Sequence, residues 1–255
     1  MLKKFSRQMY IITILLFLYF PLFLLVYFSF NNAQYSSQWQ HFSFKWFIAL
    51  FHDKPLIESL WNSLILAFFS SLIATSTSLF ATILLVLRKS DKLLRKFLLV
   101  PSFLMILPDL ILGVGFLLIL NIFHIPFGFI SLLIAHVTFC MPFIIFSMIS
   151  KIKLFNQHYY LAALDLGASK FYTWKKIIIP LLSPTIISGF FLGFTLSFDD
   201  VIISYFVAGP EFNILPLTIF AKIRSGATPE LNALCTVTLC LSLFFILLTQ
   251  RRMKK

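Results

Sequence analysis

Three carboxylates stand inside stretches that are otherwise apolar: Asp109 in Pro108-Asp109-Leu110-Ile111-Leu112-Gly113, and the adjacent pair Asp199 and Asp200 in Leu196-Ser197-Phe198-Asp199-Asp200. A carboxylate in a membrane segment costs about 2.5 to 3.5 kcal/mol on insertion scales and persists where it faces a cavity or a partner. The chemistry such groups offer is attraction of a cation through a passage of low dielectric. Acids held structurally near the outer interface are the alternative, and the residues alone fit both. Adjacent helical residues point about 100° apart, so Asp199 and Asp200 diverge. One is expected to face the passage and the other a neighbouring subunit or an interfacial hydrogen bond. The same divergence argues against an aspartic-protease dyad, whose carboxyls converge on one proton.

The other chemistry-bearing residues form no constellation. His41, His52, His124, His136 and His158 are scattered without HExxH or i, i+4 pairing, so they read as isolated structural or interfacial histidines and no metal site is expected. Cys140, Cys235 and Cys240 are odd in number and lie in apolar segments, which fits buried free thiols and neither a disulfide framework nor zinc. There is no GxxxxGK[ST] phosphate loop among the eight glycines, so ATP is not bound by this chain in that way.

The elements that must position the acids are membrane helices. With 60% apolar and only 12% charged residues and a mean hydropathy of +0.95, the 255-residue chain has too little polar surface to coat a water-soluble globule. Its net charge of +12 is no argument for nucleic acid, because the basic residues cluster at segment ends. With both termini cytoplasmic, every Lys and Arg falls on the cytoplasmic side except Lys45, Lys54, Lys222 and Arg224, as the positive-inside rule requires.

Six spans are expected in an all-α fold: about 9–30, 59–87, 97–120, 128–150, 185–208 and 232–249 of a single permease-like domain, each near the ~20 residues that cross the hydrocarbon. The first has a basic start like a signal peptide, but its apolar run is too long, and an uncleaved anchor is expected. Trp39 and Trp46 in the polar stretch 31–55 suit the headgroup level. Span two carries Ser63, Ser70, Ser71, Thr75, Ser76, Thr77, Ser78 and Thr82, small hydroxyl residues that suit close helix packing. Span three, with Pro101, Pro108, Gly113 and Gly115, is expected to be broken, either as a hinge lining a cavity or as a kinked structural helix. Residues 215–224 are expected as a short helix, and Thr228, Pro229 and Glu230 as the cap, first-turn proline and first-turn acid of span six.

The longest basic, patterned interruption is the loop at about 156–182, containing YLAALDLGASKFYTWKKIIIP from Tyr160 to Pro180. A short helix is expected to end at Gly167 in a left-handed conformation, with Ser169 capping a second helix that stops before Pro180. One face would carry Leu161, Leu164, Phe171 and Trp174, the other Lys170, Lys175 and Lys176. Such an apolar face fits a partner groove or the bilayer surface equally well.

Spacing separates these two. The loop resembles the signature loop of ABC-importer permeases: Ala162, Ala163, Gly167, Ile177 and Pro180 stand at the family's spacing, while Leu161 occupies the place of its glutamate. The likeness extends from about Asn62 to the C-terminus and is similar to the spermidine/putrescine permease subfamily of the PotC type. It rests on Asn62-Ser63-Leu64, on 108–113, on Asp165-Leu166-Gly167-Ala168-Ser169, on 196–200, on Ala208-Gly209-Pro210 and on 228–234. The resemblance implies a type I ABC-importer permease (MetI-like) fold and a non-catalytic subunit in a bacterial inner membrane. It implies as partners a second homologous permease subunit, a cytoplasmic ABC ATPase dimer that carries ATP and Mg, and an external or periplasmic solute-binding protein. Leu161, Ala162, Ala163, Asp165, Gly167, Ala168, Ile177 and Pro180 would dock on the ATPase, and Asp109, Asp199 and Asp200 would line the substrate pathway of a polyamine importer. No cofactor is expected on this chain. The competing readings are a permease for another solute, such as a metal chelate, thiamine or an inorganic anion, and an ion-coupled secondary transporter, against which six spans without an inverted repeat argue.

Overall fold

A computed structural model of the protein describes residues 2–33, 38–87, 91–153, 158–225 and 229–253. Among these every extended regular element is helical, with one isolated antiparallel bridge between Asn31 and Phe42. In chain order the helices are α1 (Leu2–Ser29), α2 (Lys45–His52), α3 (Lys54–Leu87), α4 (Asp91–Ile106), α5 (Asp109–Ile122), α6 (Phe129–Lys153), α7 (His158–Asp165) and α8 (Lys170–Thr173). A π-helical turn, Trp174–Ile178, leads into α9 (Ile179–Phe198), followed by α10 (Ile202–Val207), α11 (Leu215–Ser225) and α12 (Pro229–Met253). Thr228, Arg88, Lys89, Lys254, Lys255 and the start of the expected docking loop at 156–157 lie outside the described residues.

Among the described residues four helices are long and apolar enough to cross a membrane: Gln8–Ser29, Lys54–Leu84, Phe129–Ser150 and Phe171–Phe198. The bent pair Lys92–Ile106 and Asp109–Ile122 makes a fifth if taken as one span. Of the sixth expected span, Glu230–Leu243 is a shorter apolar helix. The chain divides into two compact units, Met1–Glu58 with Thr218–Leu248, and Ser59–Leu217 with Thr249–Lys255.

In the first unit, Asn31 organises the polar stretch after α1. Its amide donates to the Gln38 carbonyl at 2.6 Å, its side-chain oxygen accepts the N–H groups of Ala33 and Gln40, and its own carbonyl accepts the Trp46 indole N–H at 2.8 Å. Asp53 precedes α3 and caps it through the Leu56 N–H. The Lys222 ammonium on α11 reaches Asp53 at 2.6 Å and Glu230, in the first turn of α12, at 3.1 Å. Burial works to raise the Asp53 pKa, but hydrogen bonds from Lys222 and the Leu56 N–H, with the Lys222 charge and a smaller contribution from Glu230, outweigh it and hold the carboxyl below its ordinary value. Burial likewise opposes the Lys222 charge, and its two acidic partners outweigh that and hold it above its ordinary value.

The second unit is built on the small-residue face of α3. Ser63, Ala67, Ser70, Ser71, Ala74, Thr75, Ser78 and Thr82 recur at intervals of three and four, which places them on one helical face, and all are buried. Ser76 and Thr77 fall off that face and bond back to carbonyls of their own helix. Small side chains let backbones approach: a Cβ on Gly193 of α9 would stand 3.3 Å from Ser71 Cβ and 2.9 Å from Ile144 Cδ1 of α6. Ala74, Cys140, Ile144, Met148, Ile178 and Leu182 fill the core beside this seam. A second core gathers Leu66, Leu120, Leu132, Ile203 and Val207. There α5 lies against α10 so closely that a Cβ on Gly113 would meet Phe206 Cδ2 at 2.5 Å.

Candidate functional site

The three acids sit at two helix breaks. Pro108 cannot continue α4, since it lacks an N–H and its ring excludes a helical predecessor, and the chain turns by 106° before α5 begins at Asp109. Asp109 is exposed in the first turn of α5, where the positive helix end favours an acid. The second break follows α9: Asp199 closes the helix, with its N–H on the Thr195 carbonyl at 3.1 Å, and α10 resumes at Ile202. Both broken elements meet where Gly113 of α5 admits Phe206 of α10.

The vicinal pair divides, although both residues lie in the break between α9 and α10 and not on one helix. Asp199 is exposed, whereas Asp200 is only 9% exposed and is fully engaged within the unit. One Asp200 oxygen accepts the Ser204 N–H and the Ser204 hydroxyl, both at 2.8 Å, and the other accepts the Ile203 N–H at 3.4 Å. Asp200 therefore caps the first turn of α10. Its expected place beside Asp199 is met by an internal hydrogen-bond role, without a neighbouring subunit being needed.

His136 of α6, fully buried, completes this arrangement. Its Nδ1 lies 2.7 Å from Ser197 Oγ on α9, its Nε2 2.9 Å from Ser204 Oγ on α10, and Asp200 Oδ2 is 3.6 Å from Nε2. Ser70 of α3 lies 2.8 Å from Ser197 Oγ. One donor order satisfies every member: Ser70 donates to Ser197, Ser197 to Nδ1, Nε2–H to Ser204, and Ser204 to Asp200. Sequence reasoning missed His136, which stands isolated along the chain. The signal was available, because the rule that made the buried acids costly applies equally to a histidine in an apolar span. Upstream, Asn62 and Ser63 hold the segment before α11, the Asn62 amide donating to the Asn213 carbonyl at 3.0 Å and the Leu215 N–H to Ser63 Oγ at 2.7 Å.

The loop between α6 and α9 presents the other candidate surface. α7 ends in a Schellman motif: the Gly167 N–H donates to the Leu164 carbonyl at 2.9 Å and the Ala168 N–H to the Ala163 carbonyl at 3.0 Å, with Gly167 at φ +83°. Ser169 then caps α8, its hydroxyl accepting the Tyr172 N–H at 3.2 Å. Leu161, Ala162, Asp165, Gly167 and Pro180 are exposed, Ala168 and Ile177 are half-buried, and Ala163 is buried under the turn.

Two expectations need correction here. The helix does not stop before Pro180 but runs on as Phe171–Phe198, because Pro180 falls in the first turn of α9 just after the π-helical turn Trp174–Ile178, where the Ile179 N–H reaches back to the Trp174 carbonyl and the register changes. Trp174 is not on the outward apolar face; it packs with Tyr160 against the core of Ile144, Met148 and Ile178. The outward apolar residues are Leu161, Leu166 and Phe171, with Leu166 88% exposed.

Residues 78–253, which include His136, the docking-type turn and both members of the acid pair, match the family described as binding-protein-dependent transport system inner membrane component. The chain belongs to this family. As an inner membrane component it is a multi-pass transport subunit. It is 39% identical over 251 residues to the spermidine/putrescine transport system permease protein PotC of Haemophilus influenzae, covering 98% of this chain and 97% of the relative. Identity to the PotC protein of Escherichia coli K12 is 38% over 98% of this chain and 94% of the relative. To the putrescine transport system permease protein PotI of the same organism it is 32%, over 88% and 82%. In fold the permease is similar to a chain of a bacterial ABC transporter involved in import of the acidic polysaccharide alginate, with a TM-score of 0.72 over 98% of this chain and 96% of that one at 15% identity.

Proposed function

We propose that this permease passes polyamines of the spermidine and putrescine class through the membrane as part of an ATP-driven importer. It works beside a second homologous permease subunit, takes its substrate from an external or periplasmic solute-binding protein, and is driven by a cytoplasmic ATPase dimer that alone carries ATP and Mg. Both termini are cytoplasmic. The α7–α8 turn, with Leu161, Leu166 and Phe171 outward, docks on the ATPase, and closure of that dimer rocks the helices between inward-open and outward-open states.

The observation that carries this reading is the division of labour at the α9–α10 break. Asp200 is consumed by the fold, while Asp199 is left exposed at the end of an apolar span, an expense that a passing polycation would offset. Asp109, exposed at the other break, supplies a second carboxylate. The test is uptake of labelled spermidine by the complex in proteoliposomes. Asp199→Asn and Asp109→Asn are expected to lower uptake at limiting substrate by about tenfold or more each, as loss of about 1.4 kcal/mol of cation attraction would, with assembly and basal ATP hydrolysis intact. Uptake at the unsubstituted rate in both variants would sink the role. A transport complex that hydrolyses ATP but ignores spermidine and putrescine would sink the substrate class.

A further inference from the structure

We propose that His136 is a positioning residue of the permease: its imidazole clamps the break between α9 and α10 and so sets where the Asp199 carboxylate stands. The role of Asp199 rests on the function proposed above; the clamp does not.

The break is a weak place by construction. Residues 199–201 belong to neither helix, and α10, only six residues long, is too short to hold its own direction. Something outside the chain segment must fix the angle. One ring bridges the break: Ser197, two residues before Asp199, is held at Nδ1, and Ser204, five residues after it, at Nε2. The ring is itself anchored on α6 and backed by Ser70 of α3 through Ser197; it ties α10 across the break to α3, α6 and α9, while α5 packs on Phe206 and the Ser131 hydroxyl donates to the Val207 carbonyl at the far end of α10. All the hydroxyls and the ring are buried, hence each hydrogen bond is worth its desolvation cost if broken.

The donor order adds a constraint. Asp200 only accepts in its hydrogen bonds with Ser204, so the Ser204 proton points to it and Nε2 must be the protonated nitrogen; Nδ1 is then free to accept from Ser197. A side chain that replaced His136 would have to donate at the Nε2 place to preserve the α10 side. Glutamine can, since its amide reaches about that far. Leucine cannot, and asparagine reaches only the Nδ1 place.

The experiment reads the position of residue 199 directly. In the assembled complex, with Cys235→Ser and Cys240→Ser and the fully buried Cys140 retained, the thiol of Asp199→Cys is labelled with a water-soluble cationic methanethiosulfonate. Adding His136→Leu is expected to change the labelling rate by between about fivefold and a hundredfold, the range that loss of a buried hydrogen bond gives, and His136→Gln to return it most of the way while His136→Asn does not. Ser197→Ala and Ser204→Ala each cut one side of the clamp, leave the ring in place, and carry the same comparison if His136→Leu fails to assemble. An unchanged labelling rate overturns the proposal, as does a change that glutamine fails to reverse. Spermidine uptake is measured in parallel. His136→Leu is expected to reduce it when Asp199 is present and to do nothing further in Asp199→Asn, whereas independent, multiplicative losses would overturn the positioning role. If Asp199→Asn transports normally while the labelling shifts as expected, the clamp stands and the passage role of Asp199 falls.

Discussion

Replacing Gly167 by alanine isolates one term in the geometry of the α7–α8 turn. Gly167 sits at φ +83°, and a Cβ built on it meets nothing within 4 Å, so the substitution adds no clash. What it adds is the backbone cost of the left-handed region, about 1 to 2 kcal/mol for a residue with a Cβ. That energy falls on the two bonds that close the turn, Gly167 N–H to Leu164 and Ala168 N–H to Ala163, both at ordinary length and neither able to compensate. The population of the closed turn drops by up to about 5- to 30-fold relative to its frayed alternatives, and the affinity of an ATPase that recognises only the closed turn drops by up to the same factor. Gly167→Asn is the control, because asparagine tolerates the left-handed region and should lose much less. Binding of the purified ATPase to the permease complex in nanodiscs, together with substrate-stimulated ATP hydrolysis, measures both. Equal weakening by alanine and asparagine would refute the reasoning, since a side chain and not the backbone conformation would then be responsible. Unchanged binding in both would remove the turn from the interface.

Thr75 Oγ1 is the one buried side-chain polar atom without a hydrogen-bond partner among the described residues, so Thr75→Val is expected to raise the thermal midpoint in detergent, removing a penalty of about 1 to 3 kcal/mol; a lower midpoint would mean the hydroxyl is satisfied. Gly189→Ala and Gly193→Ala should each destabilise by about 1 to 3 kcal/mol through overpacking, because an added Cβ would stand 2.6 Å from Met148 Cε at the first and 2.9 Å from Ile144 Cδ1 and 3.3 Å from Ser71 Cβ at the second; an unchanged thermal midpoint in both variants would contradict the packing described. Asp53 is held below its ordinary 3.8, so its contribution is present above that pH and is lost as pH falls through the lower folded value. Lys222 is held above 10.5, so its contribution persists up to that pH and is lost as pH rises through the folded value. Asp53→Asn should therefore cost about 0.2 to 1 kcal/mol at pH 7, the scale of exposed pairs, and progressively less as pH falls through the folded Asp53 value; a penalty that does not shrink with falling pH would exclude the ion pair as its source.

Much of the fold and part of the site were legible in the residues. The close packing of α3 was legible from its small hydroxyl residues, though not which of them share the buried face, and the left-handed Gly167 and the Ser169 cap were legible from local chain chemistry alone, because these features depend only on neighbours in sequence. A break in span three was legible from its prolines and glycines, but not that it falls at Pro108 while Pro101 stays inside α4. The features that escaped depend on pairs far apart in the chain. His136 acquires meaning only when folding brings Ser197 and Ser204 to its two nitrogens, and Lys222 only when Asp53 and Glu230 converge on it. Pro180 misled in the opposite direction: proline is a reliable stop signal for an α-helix, but a π-helical turn just before it removes the conflict. Six spans were expected, and the described helices give four, or five with the bent pair, leaving Glu230–Leu243 short of the length that would make another.

The helix that runs unbroken through Pro180 is also a lever arm. Its 28 residues, Phe171–Phe198, reach about 42 Å at 1.5 Å per residue, with the α8 end of the loop at one extremity and Asp199 immediately beyond the other. The π-helical turn is a joint near the loop end, and the section beyond it, α9 with Pro184 in its second turn, is about 30 Å long. A tilt of only about 5° at that joint would swing the far end by about 2.6 Å, roughly the reach of a hydrogen bond. The position of the joint, close to the loop and far from the acid, is thus the one that turns a small rotation at one end into the largest displacement at the other.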